Sequence, residues 1–406
     1  MGQSGRINID LMKDYNKKLV LKTIQRDGPI SRVDIANSIN LSRPSVSEIV
    51  AQLIDEGWIQ ELVAETKVRG RTPRPLEVNP HKKLIIGVEI GAYATKIIIC
   101  NLKAEILKRS EIAVNTSKDP CEVIKNIASL VTSMSNHYVG LGKEVIGLGV
   151  GMHGLVDSTK GVGLYAPNLG WKNVDIKGIF EDLTKLPVEV ENDCNSSALA
   201  EVWFGHGRDE DNFISVLMDY GIGASVINNG TMFKGVHHVS GQIGHITIDP
   251  DGPRCTCGNY GCLEILTSEP AILKGIKRRL KLGERSSLTE REEDIDKITI
   301  EDFYQAVHQG DPLAVDVAKQ AGRNFGLGFT ILINLFGPRF IVIGGGLVKI
   351  APVLLPIIKE VISLKAMGDE AKQTPIFTSL LGEDLYAVGA ASLIVEKEFS
   401  LPTLSI

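Results

Sequence analysis

The sequence predicts an α/β protein whose layered body follows a small N-terminal module of helices and a hairpin. Three observations carry this. From Lys83 onward, β-rich runs alternate with amphipathic helical stretches, the pattern of a layered α/β body. Ahead of it, residues 16–56 hold three short helical periodicities, each bounded by capping or turn residues. Third, His245, Cys255, Cys257 and Cys262 crowd into one short loop-like stretch. At 406 residues the chain is too long for one ordinary core, so two or three domains are expected.

The first helix is expected over residues 16–27, where Leu19, Val20, Leu21 and Ile24 make an apolar stripe closed by Gly28-Pro29. Ser31 caps a second short helix, with Asp34 three positions on in an approximate capping box. Asn40-Leu41 turns the chain, and Ser42 caps a third helix reaching about Glu56. In that helix Val46, Ile49, Val50, Leu53 and Ile54 share one face, leaving Arg43, Ser45, Ser47, Glu48 and Gln52 largely on the others. Two helices joined by a short turn, the second opening Ser-Arg-Pro-Ser-Val-Ser, read as a helix-turn-helix. Trp58–Val63 and Pro75–Val78 can then pair as strands around a basic tip, Lys67-Val-Arg69-Gly-Arg71-Thr-Pro-Arg74. A slim arginine-glycine-arginine tip suits a DNA minor groove, whose negative potential attracts guanidinium groups. Alone it is also compatible with a solvated basic hairpin. In this order, helices, strands and tip resemble a winged helix-turn-helix. Arg43, Ser45 and Ser47 are therefore expected at the major groove, and Arg69 and Arg71 at the minor groove.

In the body, Leu84–Ile90 and Lys96–Leu102 read as consecutive strands, Val123–Met134 as a helix, and Val145–Gly151, Pro187–Val190 and Phe340–Ile343 as strands. Gly283–Lys297, dense in charge, reads as a solvated loop. A hydrophobic fraction of 43% with 23% charged residues belongs to a soluble globular chain. No apolar run approaches the roughly 20 residues needed to span a bilayer, and residues 1–10 lack a signal-peptide core, so no membrane and a cytoplasmic setting are expected. Scattered Cys100, Cys121 and Cys194 fit reduced thiols rather than a disulfide framework. The net charge of −5 is uneven: residues 1–80 hold 12 basic and 10 acidic side chains, and the remainder 32 and 39. A DNA-reading module on an acidic body would divide its charge this way.

One histidine and three cysteines form a donor set that zinc binds as a closed tetrahedron, with no open position for catalysis. Gly258 and Gly261 suit the sharp turns that would bring Cys257 and Cys262 to one ion. The other reading is a free Cys-x-Cys turn near an unrelated histidine; in a reduced cytosol, clustered cysteines more commonly bind metal. One structural zinc per chain on His245, Cys255, Cys257 and Cys262 is expected.

Gly244-His245 followed by Cys255-x-Cys257-Gly-x-x-Gly-Cys262-x-Glu264 resembles the signature of the repressor, open reading frame and kinase (ROK) family. The resemblance covers about residues 83–395. It implies two lobes of the actin-like, ribonuclease-H-like fold with a sugar between them, and a zinc loop whose histidine serves both metal and sugar. The implied organisation is a winged helix-turn-helix over 1–82, a first lobe over 83–200 rejoined by a helix at about 384–396, and a second lobe over 201–383. Asn192 and Asp193, just after a strand end, offer the planar amide and carboxylate that sugar hydroxyls need; an Asn-Asp pair also serves commonly as a helix cap. By the resemblance, Asp193 holds the position of the kinases' general base, and Asn168 and Glu264 match sugar-contacting residues. Gln242 stands where the family usually has glutamate, and keeps an acceptor while losing charge. His153 stands where the family often has proline; it reads as a satisfied loop histidine rather than a ligand contact.

The kinase motifs depart further. The first phosphate turn is Glu89-Ile-Gly91-Ala92-Tyr93-Ala-Thr95, and the second is Met218-Asp219-Tyr220-Gly221-Ile-Gly-Ala224. Ala92, Tyr93 and Ala94 interrupt the glycine stretch, and Asp219 sets like charge against a phosphate. Gly344-Gly345-Gly346 still resembles the late nucleotide loop. These features point to a non-enzymatic, sugar-responsive repressor that binds operator DNA and a mono- or oligosaccharide as a homodimer or dimer of dimers. No catalytic residue is expected. Two other readings stand at this point: an ATP-dependent sugar kinase with an added DNA-binding domain, and a regulator that senses a phosphotransferase protein.

Overall fold

The computed structural model describes residues 9–62, 74–91, 94–114, 119–236, 239–292 and 294–401. They fall into two units: one holds the described residues up to Leu199 together with those from Tyr386 onward, the other Ala200–Leu385.

The first unit opens with helices α1 (Ile9–Asp27), α2 (Arg32–Ser38) and α3 (Arg43–Asp55). Helix α1 begins seven residues before the expected start. Leu11 and Met12 in the added turns are exposed, so burial left no periodic signal there. Ser31 and Ser42 cap α2 and α3: each side-chain oxygen accepts from a backbone N–H three residues on, Asp34 and Ser45 respectively, at 3.2 Å. Val20, Leu21, Ile24, Ile35, Val46, Val50 and Leu53 are buried. Strands β1 (Ile59–Glu61) and β2 (Leu76–Val78) pair antiparallel with Ile59 opposite Val78. The tip, including Arg69 and Arg71, lies outside the described residues.

Next come β3 (Lys83–Ile90), β4 (Ala94–Asn101), β5 (Ile106–Ala113), α4 (Pro120–Gly140) and β6 (Glu144–Met152). A small antiparallel sheet of β7 (Leu155–Asp157), β8 (Val162–Ala166) and β9 (Trp171–Asp175) precedes α5 (Ile176–Thr184), β10 (Val188–Asn192) and α6 (Asp193–Phe204). The main sheet runs β10-β6-β3-β4-β5, with β10 and β3 parallel to β6 and the other pairs antiparallel. The strand expected to stop at Val190 continues to Asn192, because Glu191 and Asn192 pair with Gly151 and Met152 of β6. Helix α6 accordingly begins at Asp193 rather than near Asn195.

The second unit has the sheet order β13-β12-β11-β14-β15, from β11 (Phe213–Met218), β12 (Ile222–Asn228), β13 (Thr231–Met232), β14 (Phe340–Gly344) and β15 (Ile376–Thr378). Around it lie α7 (Leu263–Thr267), α8 (Glu269–Lys281), α9 (Leu288–Arg291), α10 (Ile300–His308), α11 (Pro312–Phe336), α12 (Ala351–Lys365) and α13 (Asp369–Lys372). The expected solvated loop at 283–297 is more ordered than its charge suggests. Leu288 is buried, and Asp311 accepts from Ser287 N at 2.7 Å and Oγ at 3.0 Å, fixing the start of α9. The last helix, α14 (Leu385–Phe399), lies against the first unit's sheet. A Cβ on Gly149 would come within 1.7 Å of the Ala390 carbonyl oxygen, and one on Gly87 within 2.2 Å of that of Ala387.

Candidate functional site: a metal cluster, polar turns and an exposed recognition helix

His245 ends a 3-10 turn over Ile243–His245, and the cysteines lie on the loop that follows. Bridges Thr247↔Cys262 and Arg254↔Tyr260 fold that loop back on itself. Gly261 has φ +57°, and a Cβ there would stand 1.5 Å from the Asp249 carbonyl oxygen, so only glycine fits. The loop brings one donor atom from each of His245, Cys255, Cys257 and Cys262 within 4.8 Å of one another. Cys255 Sγ lies 3.8 Å from His245 Nδ1, and Cys257 Sγ lies 3.7 Å from Cys262 Sγ. Zinc–sulfur bonds of about 2.3 Å in a tetrahedron require sulfur–sulfur edges of about 3.8 Å. The donor set and its spacing fit a four-coordinate thiophilic cation. Burial, followed by the neighbouring Cys257 and Cys255, pushes the Cys262 thiol up to about 12. A divalent cation among the sulfurs reverses that crowding.

In the first unit, Asn192 Oδ1 accepts from Cys194 N at 2.9 Å and Asn195 N at 3.3 Å, while Nδ2 donates to the Gly154 carbonyl at 2.8 Å. Asn192 thus caps α6 and ties it to the turn after β6. Asp193 Oδ1 accepts from Cys194 N at 2.9 Å, and its Oδ2 meets His153 Nδ1 at 3.2 Å. His153, read from sequence as a satisfied loop histidine, has this carboxylate as a partner 40 residues away. Asn168 is half-buried on a 3-10 turn over Pro167–Leu169, which Gly170 ends at φ +69°. In the second unit, Gln242 and His245 are half-buried at the two ends of their turn. Glu264 Oε2 accepts from Ile222 N at 3.1 Å and lies 3.3 Å from where a Gly244 Cβ would stand. One carboxylate therefore joins the Gly-His turn, the start of β12 and the helix after Cys262.

Of the two phosphate-turn sequences, Glu89 lies near the end of β3 opposite Lys96 of β4, and Ala92 and Tyr93 lie outside the described residues. Asp219 Oδ1 accepts from Tyr220 N at 2.9 Å in the turn between β11 and β12.

On α3, Arg43, Ser45 and Ser47 are exposed while Val46, Val50 and Leu53 are buried, so the helix presents its polar face outward. The Ser45 hydroxyl bonds to that of Ser42 at 2.8 Å, which gives it a share in the helix cap. The sequence did not reveal how the wing base is fastened. Glu61 of β1 accepts from Arg32 of α2 at 2.6 Å and from Arg74 at 3.0 Å, and these hydrogen bonds hold its carboxyl below the usual range. Trp58 stacks edge-on against Phe399 of α14 with ring centroids 5.9 Å apart, and Lys83 Nζ lies 4.5 Å from its ring centroid. Lys18 Nζ also donates to the Lys397 carbonyl at 3.1 Å.

A capped helix of the helix-turn-helix with a hairpin, joined to an α/β body that carries a cysteine–histidine loop, is the architecture of a DNA-binding regulator. Residues 13–60 match the winged helix-turn-helix DNA-binding family, and residues 85–397 match the ROK family. The chain belongs to the ROK family. It is 30% identical to the xylose repressor of Caldicellulosiruptor bescii, over 97% of this chain and 99% of the relative. It is 33% identical to the DNA-binding transcriptional dual regulator NagC of Escherichia coli, over 97% of this chain and 95% of that protein. Among solved structures, a ROK family transcriptional regulator described as a homologue of the E. coli MLC protein superposes with TM-score 0.84 at 32% identity, covering 96% of this chain and 98% of that one. A ROK glucokinase from Streptomyces griseus, solved with glucose and AMPPNP, superposes with TM-score 0.69 at 30% identity over 76% of this chain and 98% of its own. The expected fold holds: a winged helix-turn-helix ahead of an α/β body of the sugar-kinase type. No helix among the described residues is long and apolar enough to cross a membrane.

Proposed function

We propose that this protein is a cytoplasmic, sugar-responsive repressor of carbohydrate-utilisation genes. The observation that carries the reading is likeness along the whole length: both the winged segment and the ROK body match transcriptional regulators over 95% or more of each chain. We assign the DNA-binding domain to residues 1–82, the lobes to 83–200 and 201–383, and the helix at about 384–396 to the first lobe. Arg43, Ser45 and Ser47 face the major groove, and Arg69 and Arg71 of the wing the minor groove. One zinc ion held by His245, Cys255, Cys257 and Cys262 fixes the loop. With Nδ1 on the metal side, the other ring nitrogen of His245 is left for a sugar hydroxyl. Asn168, Asn192, Asp193, Gln242 and Glu264 supply the remaining amides and carboxylates for a mono- or oligosaccharide. A homodimer, or a dimer of dimers, matches a two-fold operator, because one short helix reads few base pairs.

The chain acts as a sensor rather than a kinase in this reading. His153 supports it: an imidazole on Asp193 Oδ2 competes for the carboxylate that a kinase would use to take a proton from sugar. Operator affinity measured with and without a panel of sugars tests the proposal. Asp193→Asn should abolish the sugar response and leave operator binding intact, since a mismatched buried hydroxyl contact costs about 1–3 kcal/mol, up to roughly a hundredfold in affinity. A parental sugar response in Asp193→Asn refutes the pocket assignment. Sugar-dependent ADP release from ATP by the parent puts the kinase reading in front.

A further inference from the structure

The second unit brings together a set of titratable side chains that neither metal, sugar nor DNA uses in this reading. Asp219 lies in the turn between β11 and β12, Glu269 opens α8, and Glu301 and Tyr304 lie on α10. Lys349 follows the triple glycine after β14. Backbone geometry sets the two residues side by side: Glu269 N donates to the Asp219 carbonyl at 3.1 Å, and the Asp219 carboxylate acts on the Glu269 carboxyl. The Tyr304 hydroxyl, itself buried, donates to Glu269 Oε1. That same oxygen lies 2.1 Å from where a Cβ on Gly346 would stand, with Tyr304 Oη at 3.0 Å. Gly346 is therefore roofed by a carboxylate and a phenol.

Neighbouring carboxyl groups can share a hydrogen bond only when one of them carries a proton, since an ionised carboxylate is acceptor-only. Burial and like charge both oppose ionising the pair. Burial first, then the Asp219 charge, raises Glu269 to about 7, with the Tyr304 hydrogen bond pulling the other way. Glu301 adds further negative charge. Lys349 faces the cluster with its ammonium 5.5 Å from the Tyr304 ring centroid, but pairs with Glu301 at 2.8 Å and lies 3.9 Å from Glu383.

We propose that Asp219, Glu269 and Tyr304 form a proton-binding latch that keeps the glycine loop Gly344–Gly346 closed and frees it when the shared proton is lost. With the latch protonated, a carboxyl oxygen fills the space above Gly346 and leaves no room for a phosphate. Loss of the proton sets two carboxylates against each other, and Glu269 withdraws from the loop.

The latch predicts the sign of a pH effect. A carboxyl raised in the folded state contributes stability that is fully present below its unfolded value of about 4.5 and is lost as pH rises through about 7. In full-length protein the unfolding constant should rise by up to about tenfold per pH unit between about pH 5 and 7, the slope of one linked proton, then level off. Glu269→Gln keeps a donor for Asp219 without titrating, and should remove that slope. Asp219→Asn removes the charge that helps raise Glu269, and should move the slope to lower pH; it carries the test if the glutamine variant fails to fold. Hydrogen exchange of residues 344–350, corrected for intrinsic rates, should quicken from pH 6 to pH 8 in the parent and stay unchanged in Glu269→Gln. Identical pH slopes in the parent and both folded variants, or a loop whose corrected exchange ignores pH in the parent, would overturn the latch. So would a rise in the parent's melting temperature on adding magnesium–ATP at pH 6.

Discussion

Replacing Phe399 by alanine tests how the winged segment is fastened to the body. Phe399 closes α14 and is fully buried, and its ring meets Trp58 at 83° with centroids 5.9 Å apart. Trp58 directly precedes β1, so the pair joins the base of the wing to a helix of the body. Phenylalanine-to-alanine changes in cores cost about 3–5 kcal/mol from lost transfer energy and the cavity left behind. The ring pair itself accounts for about 0.5–1.5 kcal/mol of that loss. The Lys83 ammonium stays over Trp58, so the lower end of the range is the better expectation. A loss of about 3 kcal/mol multiplies the population with an open seam by roughly 150-fold. Lys82 is exposed beside this seam, so limited trypsin digestion there reports the opening, provided closure outruns cleavage. Cleavage at Lys82 should quicken by about two orders of magnitude. Operator affinity without sugar should stay near the parent's, while the sugar-induced change in that affinity shrinks. If Phe399→Ala is cut no faster and keeps its full sugar response, the seam is not the joint between reading head and sensor.

Two further outcomes follow from the metal loop and the DNA face. Purified protein should contain about one zinc per chain, and Cys257→Ser should lower both metal content and melting temperature, because structural zinc contributes folding energy; metal-free protein that binds sugar and operator normally would sink the assignment. Arg43→Ala and Arg71→Ala should each weaken operator binding and flatten its salt dependence by roughly one ion for each phosphate no longer neutralised, with sugar affinity unchanged; a parental salt slope in either variant removes that arginine from the interface.

What the sequence made legible was local. Ser31 and Ser42 announced the starts of α2 and α3, because a capping hydroxyl acts within three residues of itself. The cluster of His245 with Cys255, Cys257 and Cys262 was legible for the same reason: its members are close in sequence and chemically distinctive. Strand ends were harder. Glu191 and Asn192 look like loop residues, and only their pairing with β6 makes them strand. Strand β5 carried no alternation, since Leu107, Lys108 and Arg109 are all exposed at a sheet edge. Least legible were the meetings of distant residues. His153 meets Asp193 across 40 positions and Tyr304 meets Glu269 across 35, and no spacing rule connects them. The sequence allows Asn192 a helix-cap role, but its bond to Gly154, which ties α6 to the turn after β6, joins residues 38 positions apart that no local pattern links.

In the proposed reading, the bed of α14 offers a route from Asp193 toward the wing that runs mostly through backbone contacts. Gly87 and Gly149 let the backbone of α14 rest directly on strands β3 and β6, where a single Cβ would stand 2.2 and 1.7 Å from helix carbonyl oxygens. Gly389 does the same toward α6: a Cβ there would lie 2.8 Å from the carbonyl carbon of Ser196, one turn beyond Asp193. Side chains can absorb a displacement by changing rotamer, whereas backbone laid on backbone has no such freedom, and close-packed interiors pass strain on. From Asp193 the path runs along α6 to Ser196, across to Gly389, along α14 to Phe399, and onto Trp58 at the wing. A rigid path does not itself make a switch. Sugar must also bind two arrangements of the protein with different affinity, and that difference is the most the wing can receive. Up to Gly389 the route is backbone on backbone, but its last step, Phe399 onto Trp58, is a contact of two side chains, so in the proposed reading any slack in the response is expected there.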